Sequence, residues 1–198
     1  MTRFAPSRFR KSKLPVLGNS DLRAAQLTAA TWFDGVEAFP PERWATLAAY
    51  EPNVLIGPAS ALQRLVERID LRTIQLSSVD HAIFVLTEVG DKPLTDVVRV
   101  VLWQRFGVPV YELFLDPQGA LLASECEAQE GWHVEPGARF FVQKDELWVS
   151  SSADTAIRTG LSRFLETDPC ACGRPGLRIV DPDLEGAEER RSLLAATA

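Results

Sequence analysis

The feature that most constrains the fold is a set of four residues whose side chains can bind a metal ion. Two of the three cysteines stand one residue apart, in Cys170-Ala171-Cys172, on a turn rich in Gly and Pro. The third, Cys126, lies seven positions before His133. Three thiolates and one imidazole are the ligand set of a closed tetrahedral zinc site. Such a site is structural rather than catalytic, because four protein ligands leave no open position.

The cysteines also have a simpler interpretation, in which they are unrelated. A free cysteine is often a small buried hydrophobic residue, and Cys-x-Cys is less diagnostic of zinc than two Cys-x-x-Cys pairs. An odd number of cysteines argues against a disulfide framework and fits a reducing compartment. The sequence has no apolar run of signal-peptide or transmembrane type, so we expect a cytoplasmic protein that does not enter a membrane.

The charge of the chain is unevenly distributed. Its formal net charge is −6, yet residues 1–13 carry five basic side chains and no acidic one. The remainder is therefore strongly acidic, which argues against nucleic acid as a partner. We interpret residues 1–18 as a basic flexible arm and residues 181–198 as an acidic C-terminal tail.

The intervening sequence predicts an α/β fold in two parts. Residues 19–115 alternate helix and strand signals, and residues 116–180 are mostly strand, so we expect an α/β layer followed by a β-rich zinc-binding lobe. The helices are predicted at 22–30, 42–50, 59–69 and 95–106. The strands are predicted at 54–57, 73–77, 82–87, 108–115, 120–124, 139–143, 146–150 and 161–165.

Two of these helices have specific signatures. In the helix after Pro58, the apolar residues Leu62, Leu65, Val66 and Ile69 share one face. In the helix that ends at Gly107, Thr95 is the predicted N-cap. The apolar side chains expected to be buried in this second helix are Val97, Val98, Val101 and Leu102.

Several segments, taken in order, resemble the phenylacetate–CoA ligase branch of the adenylate-forming enzymes. The most similar is Arg-Thr-Gly at 158–160 followed by Pro-Cys-Ala-Cys-Gly-Arg-Pro at 169–175 and Arg-Ile at 178–179. Glu-Cys at 125–126, Gly-Trp-His at 131–133 and Gly-Pro-Ala-Ser at 57–60 are similar to family motifs, as is the segment 94–110. The resemblance implies part of the large N-terminal domain of such an enzyme. Because some members bind zinc through Cys, His and a Cys-x-Cys pair, it also implies zinc at Cys126, His133, Cys170 and Cys172.

The sequence departs from the family at the elements that handle ATP. Pro117 and Gln118 stand where the resemblance places a phosphate-contacting Thr and an acidic magnesium ligand. An amide is a poor substitute for a carboxylate at magnesium. Leu161 replaces the ribose-binding Asp, or that residue is deleted. The Gly- and Ser/Thr-rich phosphate loop ending in Lys and the C-terminal lid domain have no counterpart in this sequence.

Three candidate functions follow from these observations. The first is a non-catalytic, zinc-stabilised binding or scaffold protein, which would be a pseudoenzyme. The second is a subunit of an acyl- or aryl-CoA ligase or acyl-transfer complex that binds an acyl or aryl group. An independent enzyme with unrecognised catalytic residues is a third. Truncation of the fold would expose apolar surface, so we expect a homo-oligomer or an obligate protein partner.

Overall fold

The backbone forms a large mixed sheet, a small antiparallel sheet and a few helices. The computed structural model describes residues 22–144, 146–150, 156–161 and 164–180. The predicted arm and tail lie outside them. The strands are β1 (Ala24–Gln26), β2 (Val36–Ala38), β3 (Val54–Pro58), β4 (Ala82–Glu88), β5 (Val110–Leu115), β6 (Leu121–Glu125), β7 (Trp132–Val134), β8 (Arg139–Gln143), β9 (Glu146–Ser150), β10 (Ala156–Arg158), β11 (Phe164–Glu166) and β12 (Arg178–Val180).

The large sheet has the strand order β11-β12-β7-β6-β5-β4-β3-β1-β2. The strands from β2 to β5 are parallel, and those from β5 to β11 are antiparallel. The small sheet has the order β10-β9-β8. The α/β fold class is therefore confirmed. The predicted division after residue 115 stays a prediction, and β5 and β6 on either side of it pair directly.

The central parallel strands β3 and β4 are buried on both faces, as their continuous apolar sequences predict. Leu55 and Ile83 point to a core beneath the helices, whereas Ile56 and Phe84 belong to a second core on the opposite face. The first core includes the predicted apolar face of α2 (Ala59–Asp70), with its buried residues Leu62, Leu65, Val66 and Ile69. Within the part of the chain that is described, no helix is long and apolar enough to cross a membrane.

The helix α3 (Asp96–Phe106) begins and ends as predicted but buries less of its surface. The Val98 amide donates to Thr95 Oγ1 at 3.4 Å, and Gly107 ends the helix with φ +69°. Leu102 is buried, but the predicted burial of Val97 and Val101 is wrong, since they are 73% and 37% exposed. The face against the sheet is narrow: Val98 is half-buried, and Arg99 turns inward towards β6.

Other differences arise where tertiary pairing overrides local preference. The predicted helix at 22–30 is wrong, because its residues 24–26 form β1 between β3 and β2. Good helix formers there are overridden by pairing on both sides. The predicted strand at 73–77 is also absent from the described structure. The helix predicted at 42–50 consists of a 3₁₀ helix, Pro41–Thr46, followed by α1 (Leu47–Tyr50).

Candidate metal centre

Cys126 and His133 are held by the loop and strand that follow β6. The Gln129 amide donates to the Cys126 carbonyl at 3.0 Å, which turns the chain back towards β7. Gly131 is required here because it has φ +103°, and a Cβ atom would lie 2.5 Å from the Ile179 carbonyl oxygen. His133 then pairs with β6 on one side and with Arg178 of β12 on the other. The turn after β6 thus places Cys126, and the strand β7 places His133.

The Cys170–Cys172 segment forms a tight turn. The Gly173 amide donates to the Cys170 carbonyl at 2.9 Å, and Gly173 has φ +76°. The Arg174 amide donates to Cys172 Sγ at 3.4 Å. Hydrogen bonds of this kind stabilise a thiolate. The turn therefore presents both sulfur atoms to one point.

The structure brings all four candidate ligands together. Their ligand atoms lie within 4.8 Å of one another. Cys126 Sγ and Cys170 Sγ are 3.6 Å apart, and Cys172 Sγ is 3.4 Å from His133 Nε2. Tetrahedral zinc, with its usual bond lengths, separates two sulfur ligands by about 3.8 Å and sulfur from nitrogen by about 3.5 Å. The observed spacing fits one ion and is far longer than the ~2.05 Å of a disulfide bond.

The environment of His133 favours the neutral imidazole. His133 is buried, and its Nδ1 has no hydrogen-bond partner within the described structure. Burial and the nearby guanidinium groups of Arg174 and Arg178 lower its pKa below the ordinary value. A neutral imidazole has a nitrogen lone pair for a metal. The neutral state of His133 and its burial therefore both agree with a role as a metal ligand.

The cysteines differ in how readily they form thiolates without a metal. Burial raises the pKa of Cys126 to about 12. Burial also acts on Cys172, but hydrogen bonds from the Arg174 amide and from Cys170 and Cys126 outweigh it and lower the pKa of Cys172. A bound cation deprotonates coordinating thiols outright. The cluster can therefore hold a metal ion that offsets the cost of a buried thiolate.

The turn between β5 and β6 is closed by its own side chain. Asp116 Oδ1 accepts hydrogen bonds from the amides of Gln118 and Ala120, both at 2.8 Å. Gly119 packs so closely on the Trp32 indole that a Cβ atom would lie 2.6 Å from it. Pro117 and Gln118 are exposed. The sequence predicted a turn here, but composition alone did not indicate its contact with Trp32.

Sequence reasoning missed one residue beside the cluster, Glu130. Its carboxylate accepts a hydrogen bond from the Ala171 amide between the two paired cysteines. The position of Glu130 between Cys126 and His133 in the sequence could have indicated that it lies near the cluster. The contact spans 41 positions, however, and no local pattern marks it.

Solved structures with a similar fold include several ligases. A 2-hydroxyisobutyryl-CoA ligase in complex with 2-HIB-AMP and CoA aligns with TM-score 0.58 and 14% identity, over 79% of this chain and 43% of that one. The R395G mutant of coronafacic acid ligase from Pectobacterium brasiliense aligns with TM-score 0.52 and 11% identity, over 85% and 41%. The anthranilate CoA ligase AuaEII with anthranoyl-AMP aligns with TM-score 0.53 and 12% identity, over 78% and 39%.

These alignments show the fold and its extent. The chain has the fold of part of an adenylate-forming CoA ligase, and it spans less than half the length of these ligases. No family model matches the chain, and no curated protein matches it. At 11–14% identity these alignments show likeness of fold alone, and the phenylacetate–CoA ligase branch remains a resemblance of motifs.

Proposed function

We propose that this chain is a non-catalytic binding or scaffold protein, a pseudoenzyme stabilised by structural zinc, whose fold derives from the phenylacetate–CoA ligase branch. It acts in the cytoplasm, where thiolates stay reduced. Zinc is favoured over other ions because three thiolates and one imidazole suit it and leave no open position. When bound, zinc supplies no chemistry here beyond linking Cys126 and His133 to the Cys170–Cys172 turn.

The observation that carries the non-catalytic role is the closed turn between β5 and β6. By resemblance, this position would contact phosphate and magnesium in an active ligase. Here Asp116 is only 5% exposed, and its Oδ1 already accepts hydrogen bonds from two amides of its own turn. The Trp32 indole packs against Gly119. A loop whose polar groups are already paired with one another is poorly suited to bind a nucleoside triphosphate.

Nucleotide binding tests the non-catalytic role directly. Purified protein titrated calorimetrically with ATP and Mg²⁺ is expected to give no binding heat, and incubation with aryl acids and ATP is expected to release no pyrophosphate. Zinc analysis on the same sample is expected to give about one ion per chain. Formation of an acyl-adenylate would refute the proposal, and a metal-free but folded protein would refute its zinc component.

A protein partner or a second copy is the second element of the proposal. Helix α3 exposes Val97, Val100 and Trp103, and Leu71 is 75% exposed at the end of α2. The Arg105–Asp70 ion pair joins the ends of these two helices. Exposed large apolar side chains of this kind are typical of interaction surfaces when they form a patch. Light scattering is expected to show an oligomer or a co-purified partner that Val97→Glu disrupts, and a monomer without a partner would contradict this.

The alternative function is a subunit that binds an acyl or aryl group for a partner ligase. Its support is that the solved neighbours are CoA ligases bound to acyl- or aroyl-adenylates. Calorimetry with benzoate, phenylacetate and their CoA thioesters distinguishes the two functions. Saturable binding favours the subunit, whereas its absence together with a protein partner favours the scaffold.

A further inference from the structure

Glu130 connects the two segments that carry the metal ligands. It lies in the loop between Cys126 and His133, so its backbone belongs to the first ligand pair. Its Oε2 accepts a hydrogen bond from the Ala171 amide at 3.2 Å, and the same oxygen is 3.8 Å from Cys170 Sγ. Because Ala171 stands between the two paired cysteines, this bond fixes the turn at its centre.

Glu130 is itself held in place by a buried cation. The Arg178 side chain is 6% exposed, and Nη1 donates to the Glu130 carbonyl at 3.0 Å and lies 3.6 Å from its carboxylate. Nη2 of the same guanidinium pairs with Glu166 at 2.5 Å. Arg178 stands opposite His133 in the pairing of β12 with β7. The carboxylate of Glu130 is therefore fixed relative to the sheet.

A second set of polar contacts holds the same turn through Arg174. Arg174 pairs with Glu135 at 3.0 Å, and its Nη1 donates to Ser124 Oγ at 3.3 Å. Its side chain is 37% exposed, so solvent weakens this ion pair. Arg174 also lies two residues beyond Cys172, whereas Glu130 binds the amide between Cys170 and Cys172. Glu130 is accordingly the contact that positions both sulfur atoms.

We propose that Glu130 is a positioning residue of the metal centre, which holds the Cys170–Cys172 turn against the Cys126–His133 loop and so sets the affinity for zinc. The inference rests on the proposed zinc site. Ligands that are grouped before the ion arrives lose less conformational freedom when it binds. Residues that orient metal ligands in this way typically contribute 10- to 100-fold to metal affinity.

The test compares zinc affinity in variants of the full chain. Glu130→Ala is expected to weaken zinc binding by about 10- to 100-fold in competition with a chromogenic chelator. Glu130→Gln keeps an oxygen acceptor for the Ala171 amide and is expected to recover most of that loss. The Co²⁺-substituted Glu130→Ala protein is expected to show shifted visible absorption bands, because the sulfur ligands are less firmly positioned.

The matched control is Glu166→Ala, which removes a carboxylate from the same guanidinium. Its zinc affinity and Co²⁺ spectrum are expected to stay near those of the wild type, even if its melting temperature falls. Should Glu130→Ala not fold, Glu130→Asp, which keeps the charge on a shorter side chain, is expected to weaken zinc binding.

The outcomes separate this inference from the proposed function. Equal zinc affinity in Glu130→Ala and wild type overturns the positioning role and leaves the zinc site intact. Equal losses in Glu130→Ala and Glu166→Ala also overturn it, since the effect then belongs to Arg178. A wild-type protein that binds neither zinc nor cobalt overturns the proposed zinc site together with this inference.

Discussion

The two halves of the large sheet are stabilised by different interactions. In β3 and β4 of the parallel half, every residue before the final one is buried, and apolar side chains dominate both faces. In the antiparallel half, strands β6, β7 and β12 contain the buried polar residues Ser124, Glu125, His133 and Arg178. Strands β3 and β4 are therefore stabilised mainly by non-directional apolar burial, whereas β6, β7 and β12 add directed polar pairs to an apolar core that includes Trp132 and Ile179.

This difference indicates where the fold is sensitive to chemistry. Apolar burial contributes roughly 25 cal/mol per Å² whatever the exact geometry. A buried charge is stabilising only when its partners are correctly placed. The antiparallel half should therefore respond to metal and to single polar substitutions, whereas the parallel half should respond mainly to lost volume.

The largest expected effect is loss of the metal from the antiparallel half. Cys172→Ser should abolish zinc binding and remove the stabilisation that bound zinc provides, about 4 kcal/mol at free zinc 1,000 times its Kd. Hydrogen exchange should accelerate in β6, β7 and β12 and much less in β3 and β4. Chelator-treated wild type is the control and should behave alike. Uniform acceleration over the whole sheet would remove the distinction between the halves.

A substitution that creates a cavity in the parallel half should lower stability without affecting the binding of zinc. Leu55 is fully buried, and Leu55→Ala should reduce the free energy of unfolding by about 3 kcal/mol, through lost transfer energy and a residual cavity. The folded variant should still bind one zinc ion. Denaturant titration and metal analysis measure the two quantities, and loss of zinc from folded Leu55→Ala would show that the halves are not independent.

The ion pair between α3 and β6 joins the two halves. Arg99 Nη2 lies 2.8 Å and 3.0 Å from the two oxygens of Glu125, which also accepts from the Glu112 amide at 2.7 Å. Burial raises the pKa of Glu125 against the opposing charge of Arg99. Arg99→Met should lower the free energy of unfolding by about 2 kcal/mol. This is less than the roughly 3–5 kcal/mol typical of a fully buried pair, because Arg99 is 21% exposed. Double-mutant analysis with Glu125→Gln isolates the pair, and additive losses would contradict the coupling.

The smallest expected effect is at the cap of α3. Thr95→Ala removes a long hydrogen bond, 3.4 Å, to the Val98 amide and should cost about 0.5 kcal/mol. Thermal unfolding measures it, with Thr95→Ser as the control that retains the acceptor. Hydrogen exchange in the strands of both halves should not change. A loss of stability as large as that of Leu55→Ala would mean that α3 has a larger role.

The sequence predicted those parts of the fold whose pattern is local. Strands β8 and β9 occur at the predicted residues, and burial alternates along β9 as a local strand pattern predicts. Strand β1 was missed because Ala24 and Ala25 are good helix formers, and only pairing with β3 and β2 makes them extended. The exposure of Val97 was missed because valine indicates burial unless the neighbouring layer is known.

The candidate site was predictable to a similar extent. The four candidate ligands were chosen from chemistry, since thiols and imidazoles are scarce in a chain of 198 residues, and the structure brings them together. Glu130 was not, because it is one of 27 acidic residues and its partner lies 41 positions away. Candidate ligands can be chosen from residue type, but the contacts that would orient them depend on strand order.

The spacing of the ligands along the chain has a consequence for the small sheet. Cys126 and Cys170 are 44 positions apart, and strands β8, β9 and β10 all lie between them. An ion bound to both would join the two ends of that segment in the folded protein, and its loss would release both ends at once. A three-stranded sheet that provides no ligand would thus be tethered at both ends by the ion.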